Sequence, residues 1–215
     1  MHLQYDPADG IDFWNKISTL PGYPSGETMP IRLMLFEAGA LFKLGEALKE
    51  AGAQPDQPVF VVMDTTPMRR GEESLKPLAL DVLRRAGWQV QTVEIPPDET
   101  GQVHTDMERI GMVMSHLQPA SAVIALGAGT VCDIGKHACY LFEQESGERL
   151  PFVVYQTANS VSAYTSNMAP TFIEGVKRTL PSRYPDALLC DLETLRDAPR
   201  AMSVAAASSR LPCRA

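Results

Sequence analysis

One stretch constrains the fold of this chain more than any other: Ala122 to Tyr140, which reads AVIALGAGTVCDIGKHACY. A short apolar run from Val123 to Leu126 meets Gly127-Ala128-Gly129-Thr130 and passes at once into an Asp-bearing amphipathic segment. That pattern is a buried strand, a glycine turn and the start of a helix. Glycine lets a backbone approach a ligand because no Cβ stands in the way. The unpaired N–H groups of a helix's first turn, together with its dipole, favour an anion such as a phosphate. The spacing departs from G-x-G-x-x-G, since Cys132 stands where the third glycine would be. The turn is a candidate cradle for the pyrophosphate of a dinucleotide, and turns of this kind also occur as plain structure.

The same alternation runs along the chain. Ile31 to Phe36 reads as a strand, and Leu41, Leu44 and Leu48 then share a helical face that Gly52 can stop. Val59 to Met63 is a continuous apolar run, as in a strand covered on both faces, and it ends in Asp64-Thr65-Thr66-Pro67. A helix with Leu75, Leu78, Val82 and Leu83 inward closes at Gly87, and Trp88 to Ile95 alternates as a strand. Thr105 is the predicted cap of a further helix with Ile110, Val113, Met114 and Leu117 buried. The glycine-turn helix is predicted to run through Phe142, and Phe152 to Tyr155 is another strand. Up to Pro30 the chain reads as irregular, with a short helix over 12–18.

Strands alternating with helices predict an α/β fold, a Rossmann-like parallel sheet with flanking helices. Ligands of such sheets bind outside the carboxyl ends of the strands. Three unusual segments fall there: Asp64 to Pro67, the glycine turn, and Gln156-Thr157-Ala158-Asn159-Ser160. In an ordinary Rossmann domain the ribose-binding acid follows the glycine turn by about twenty residues. Here Asp64 precedes it, so the order is that of a different dinucleotide fold or of none.

Composition narrows the partners. With 215 residues, 45% of them hydrophobic and 21% charged, the chain can bury a real core. A formal net charge of −7 argues against nucleic acid. No apolar run approaches the roughly 20 residues that span a bilayer, and the N-terminus lacks a signal peptide's pattern. Cys132, Cys139, Cys190 and Cys213 show no C-x-x-C spacing, which fits reduced thiols and a cytoplasmic location. The scattered His2, His104, His116 and His137 build no complete metal site.

Asp64 can accept hydrogen bonds from an adenosine ribose or serve as a helix cap or turn acid. Asp133 would repel a pyrophosphate if it faced one, so bonding loop amides is its competing role. Thr157 to Asn167 is dense in hydroxyls and amides, suited to phosphate and amide ligands or simply to water. Lys177 and Arg178, with Arg183, form the local basic cluster of an acidic chain. His137 reads as a packing or surface histidine.

Five segments, FEAGALFKLGEALKE, VVMDTTPM, ALGAGTVCDIGKH, QTANSVSAYTSNMA and GVKRTLPSRYPDALLCDLETLRDAP, stand in the order and at the separations seen in the iron-containing alcohol dehydrogenase-like superfamily. Over roughly 36–202 the chain resembles it, and most of all its glycerol-1-phosphate dehydrogenase branch. The resemblance implies the N-terminal domain of a dehydroquinate synthase-like fold: an NAD(P)-binding α/β domain over 31–202, preceded by an irregular segment over 1–30. It implies adenosine-ribose contact by Asp64 and pyrophosphate contact by Gly127, Ala128, Gly129 and Thr130. Cofactor contact by Thr157, Ser160 and Ser166 follows from it too, with Lys177 near the nicotinamide ribose. Ser162 stands where the dehydrogenase branch carries a substrate-holding Asp, and a neutral hydroxyl lacks a carboxylate's charge-assisted strength.

The implied partners are NAD or NADP and a small phosphorylated polyol, with room for a homo-oligomer, and without nucleic acid or membrane. The implied activity is metal-dependent hydride transfer of the glycerol 1-phosphate/dihydroxyacetone phosphate type, with Zn or Ni in full-length relatives. The alternatives are a non-catalytic nucleotide-binding remnant and a 3-dehydroquinate synthase-like phosphate-eliminating cyclase. The superfamily continues into a helical domain carrying the metal ligands. No Asp follows Asp197 here, and Pro212 would interrupt the expected helix. The expectation is therefore a truncated or frame-shifted chain with that domain missing, no catalytic or metal residue retained, a non-native tail over 203–215, and negligible turnover.

Overall fold

The computed structural model describes residues 16, 19–20, 30–118, 120–159 and 161–202. The irregular segment and short helix predicted before Pro30 fall mostly outside the described residues, as do Ser160 and the tail over 203–215.

Strand β1 (Leu33–Glu37) leads through a 3-10 turn (Ala40–Lys43) into helix α1 (Leu44–Ala51). The predicted face is buried, with Leu41, Leu44 and Leu48 at 1% exposure or less. Each such burial contributes roughly 1.5–3 kcal/mol. Gly52 ends the helix at φ 96°, a left-handed conformation suited to glycine. Then come β2 (Val59–Asp64), a two-stranded antiparallel pair of β3 (Arg69–Arg70) and β4 (Glu73–Ser74), helix α2 (Leu75–Arg85) and β5 (Val90–Ile95). Helix α3 (Met107–Met114), β6 (Ala122–Gly127), α4 (Gly129–Ser146) and β7 (Phe152–Gln156) follow. An antiparallel hairpin of β8 (Met168–Ile173) and β9 (Val176–Pro181) precedes β10 (Ala187–Asp191) and the short α5 (Leu192–Asp197).

Two predicted details are corrected. The cap of α3 is Asp106, whose carboxylate accepts from Arg109 N at 2.9 Å. Thr105 is buried instead, and its carbonyl accepts from Phe172 N at 2.7 Å, tying the helix start to β8. Helix α4 also runs a turn past Phe142, to a left-handed Gly147.

The main sheet has six strands, all parallel, in the order β5-β2-β6-β7-β10-β1. Strands β2, β6, β7 and β10 are buried along their whole length, as continuous apolar runs require. Edge strand β5 alternates instead, with Val93 and Ile95 inward and Gln91 and Glu94 in solvent. Successive residues of the central strands feed two cores. Phe60, Val62, Val123, Ala125 and Val154 pack under α3 and α4. Val59, Val61, Ile124, Leu126 and Tyr155 pack under α1 and α2.

From β2 the chain moves outward to β5, then returns to the other flank of β2 with β6 and continues through β7 to β10. The strand order therefore reverses between β2 and β6. In doubly wound sheets that switch point opens a crevice at the carboxyl ends, where ligands bind. Among the described residues no helix is long and apolar enough to cross a membrane.

Candidate functional site

The carboxyl edge of the switch point gathers the predicted residues from three adjacent strands. Strands β2 and β6 pair as far as Val62↔Ala125, and Asp64 and Gly127 each lie two residues beyond that pair, level with each other in register. Strand β6 pairs with β7 through Gly127↔Gln156, and Thr157 N donates to Gly127 O at 3.2 Å. With parallel strands about 4.8 Å apart, Asp64, Gly127 and Thr157 stand side by side at the carboxyl edge of the sheet. Thr157 and Asp64 are both buried, at 1% and 8% exposure.

The glycine turn carries α4 away from this edge. Its cap residue, Ala128, is extended (φ −77°, ψ −176°) and offers no side-chain acceptor to the first-turn N–H groups. Those donors point from the helix's positive end, and Thr130 adds a hydroxyl to the same turn. Both glycines are sterically required. A Cβ on Gly127 would lie 2.5 Å from the Cβ of Val131, and one on Gly129 would collide with Val161. The loop after β7 therefore rests directly on the glycine turn.

That loop is held by a device the sequence reading missed. Lys136, on α4, is fully buried, and its ammonium donates to Ala163 O at 2.9 Å and Ser166 O at 3.1 Å. It also pairs with Asp133 Oδ1 at 2.9 Å. Burial pushes the Asp133 carboxyl above its ordinary pKa, and Lys136 and Lys177 pull it partly back. Asp133 is thus compensated within the fold instead of confronting an anion alone. Tyr164 OH donates to Ala158 O at 2.7 Å, and Gln156 Nε2 to the same carbonyl at 3.2 Å. The D-x-x-K spacing is the signal that was available, but it does not reveal burial.

Asp64 sits in its own small network. Oδ2 accepts the Thr66 hydroxyl at 2.8 Å, and Oδ1 accepts Thr66 N at 3.3 Å and Lys76 Nζ at 2.7 Å. Ser166 Oγ accepts from Met168 N at 3.1 Å, so its side chain also starts β8. Ser162 is exposed ahead of the 3-10 turn Ala163–Thr165. Lys177 is exposed on β9, 5.9 Å from the Phe172 ring centre, close enough to α4 for Asp133 to feel its charge. Ser160 lies outside the described residues.

Arg183 does not join a basic surface cluster with Lys177 and Arg178. It is buried, donating to Leu150 O at 2.9 Å and Asp186 Oδ2 at 2.8 Å. His137 is buried and stacks on Tyr140, and desolvation, helped by the Lys136 charge, lowers its pKa. Cys132 and Cys139 are buried thiols pushed up to about 12 by desolvation, which makes them poor nucleophiles. Among the described residues no group of three or more His, Cys, Asp or Glu stands together as a metal site needs, so the implied Zn or Ni finds no ligand set in them.

Residues 35–199 match the family described as iron-containing alcohol dehydrogenase. The chain belongs to that family. Among curated members it is 38% identical over 124 residues to the glycerol-1-phosphate dehydrogenase, NAD(P)+, of Bacillus subtilis (strain 168), covering 57% of this chain and 30% of that protein. The Geobacillus stearothermophilus protein of the same name is 32% identical over 148 residues, covering 68% and 34%. The match thus spans about a third of these relatives' length. Among solved structures, NADH-dependent butanol dehydrogenase A from Thermotoga maritima superposes with a TM-score of 0.64 at 17% identity, covering 83% of this chain and 46% of that one. A probable glycerol dehydrogenase from Sinorhizobium meliloti 1021 gives 0.59 at 20%, covering 81% and 43%. At such identities the likeness establishes the fold, with the same α/β sheet and flanking helices.

Proposed function

We propose that residues 31–202 form an NAD(P)-binding domain, the cofactor half of a dehydrogenase acting between glycerol 1-phosphate and dihydroxyacetone phosphate. The supporting observation is the meeting of Asp64, the uncapped α4 N-terminus and Thr157 at the one edge where the strand order reverses. The donor set suits the group. First-turn N–H groups and the Thr130 hydroxyl can hold a pyrophosphate, and Asp64 can accept from a ribose hydroxyl. The Asp133–Lys136 pair keeps α4's own carboxylate from opposing that anion. Thr157 and Ser166 belong to the loop that Lys136 fastens to α4. Lys177 brings a positive charge to the same side, toward the nicotinamide ribose, and exposed Ser162 offers a neutral hydroxyl to the polyol. When bound, the nicotinamide supplies the hydride acceptor of alcohol oxidation.

The test is an NADH fluorescence titration of the purified chain. Saturable binding is expected, weakened about tenfold or more in Asp64→Ala, as loss of a hydrogen bond to a charged group implies. Absence of saturable binding by the wild-type protein contradicts the proposal.

A further inference from the structure

Asp64 does not stand alone at the strand end, and its companion bears on which nucleotide the crevice takes. Lys76, the second residue of α2, places its ammonium 2.7 Å from Asp64 Oδ1 and 2.6 Å from Thr66 O, and donates to Asp64 O as well. An ammonium has three hydrogens, and all three are satisfied here. The two side chains are only 13% and 12% exposed, so the pair is fixed and weakly screened.

We infer that Lys76 is a specificity-determining residue, which makes the crevice tolerate a 2′-phosphate and so accept NADP(H) alongside NAD(H). The inference rests on the nucleotide reading above and adds to it the residue that governs discrimination. Two consequences of the geometry carry it. The first concerns lone pairs. Oδ1 is filled by Lys76 and Thr66 N, and Oδ2 already holds the Thr66 hydroxyl. One Oδ2 lone pair is left for a ribose hydroxyl, too few for the grip on both hydroxyls by which an acidic residue selects NAD. The second concerns charge. A bare carboxylate at the 2′ position repels the extra phosphate, and such repulsion is the usual means of rejecting a competitor. Here an arriving phosphate meets an ion pair whose charges offset each other. Because its three donors are occupied, Lys76 acts through its fixed charge and not by grasping the phosphate.

NADH and NADPH are titrated separately against the full chain as wild type, Lys76→Met and Asp64→Asn, reading the ratio of the two Kd values. A folding defect weakens both nucleotides together and leaves the ratio where it was. The wild type is expected to bind both. Lys76→Met, which bares Asp64, shifts the ratio against NADPH by about tenfold, the scale of one partly screened unit charge at close range. Asp64→Asn, which leaves the Lys76 charge unopposed, shifts it toward NADPH, and this opposite sign decides the matter even if Lys76→Met does not fold. A ratio unmoved in the variants, or a wild type that binds NADH and excludes NADPH, overturns the inference while sparing the nucleotide site. A wild type that binds neither overturns both.

Discussion

Two aspartates end parallel strands on the same edge of the sheet, and their fates differ. Asp191 closes β10 and Asp64 closes β2. Each is paired with a cation from the segment between β2 and β5, Arg70 in one case and Lys76 in the other. Asp191 is fully buried, and its oxygens accept Leu41 N at 3.0 Å, Arg70 Nε at 3.1 Å and Glu193 N at 3.0 Å. It holds the turn after β1, the β3–β4 hairpin and the start of α5 in one knot. Asp64 binds only its own turn and Lys76, and keeps some exposure and one open lone pair. The same position at a strand end thus serves two purposes: the fold consumes the acceptors of Asp191, whereas Asp64 keeps acceptor capacity for the proposed nucleotide.

The contrast predicts different costs for the same substitution. Asp191→Ala leaves the Arg70 charge and the Leu41 N–H without their buried partner and is expected to cost about 3–5 kcal/mol in urea unfolding. Asp64→Ala leaves Lys76 two carbonyl acceptors and is expected to cost about 1–2 kcal/mol, its larger effect falling on nucleotide binding. Equal losses would erase the distinction between the two sites.

A smaller effect is expected at Asp98, a third aspartate, whose bonds stay within an exposed loop. Donation from the Thr100 hydroxyl, then from the N–H groups of Gln102 and Thr100, holds its pKa at about 2, against an ordinary 3.8. A depressed carboxylate contributes its stability above the ordinary value and loses it as pH falls through the folded one. The Gly101 N–H, bonded to Asp98 O at 2.9 Å, should therefore lose exchange protection as pH drops from 4 toward 2. An unchanged Gly101 amide would contradict this.

The sheet was largely legible in the residues because β2, β6 and β7 are buried on both faces, and such strands read as unbroken apolar runs. The β8–β9 hairpin was not. MAPTFI is partly buried, VKRTLP is almost wholly exposed, and they carry Pro170 and Pro181, so no apolar run marks the hairpin. Their one local sign is Glu174-Gly175, both at positive φ (50° and 76°), the backbone of a tight hairpin turn. At the candidate site, the placement of Asp64, Gly127, Gly129 and Thr157 at one sheet edge was legible because strand ends and a glycine turn announce themselves. The placement of Lys136 and Lys76 was not. Each matters through carbonyls of a distant or folded-back segment, Ala163 and Ser166 for one and Asp64 and Thr66 for the other. Those contacts exist only once the loops have closed. Arg183 shows the converse, a cation that looked like surface charge and is an internal tie between Leu150 and Asp186.

On the proposed function, a nicotinamide dinucleotide lies at the carboxyl edge between β2 and β6. Amide hydrogen exchange of the chain with and without saturating NADH tests it most directly. Bound nucleotide is expected to add protection at the N–H groups of Thr65 and Thr66, Gly129 to Val131 and Thr157 to Asn159, with little change at the amino ends of the same strands. Protection centred elsewhere, or none at the first turn of α4, would contradict it.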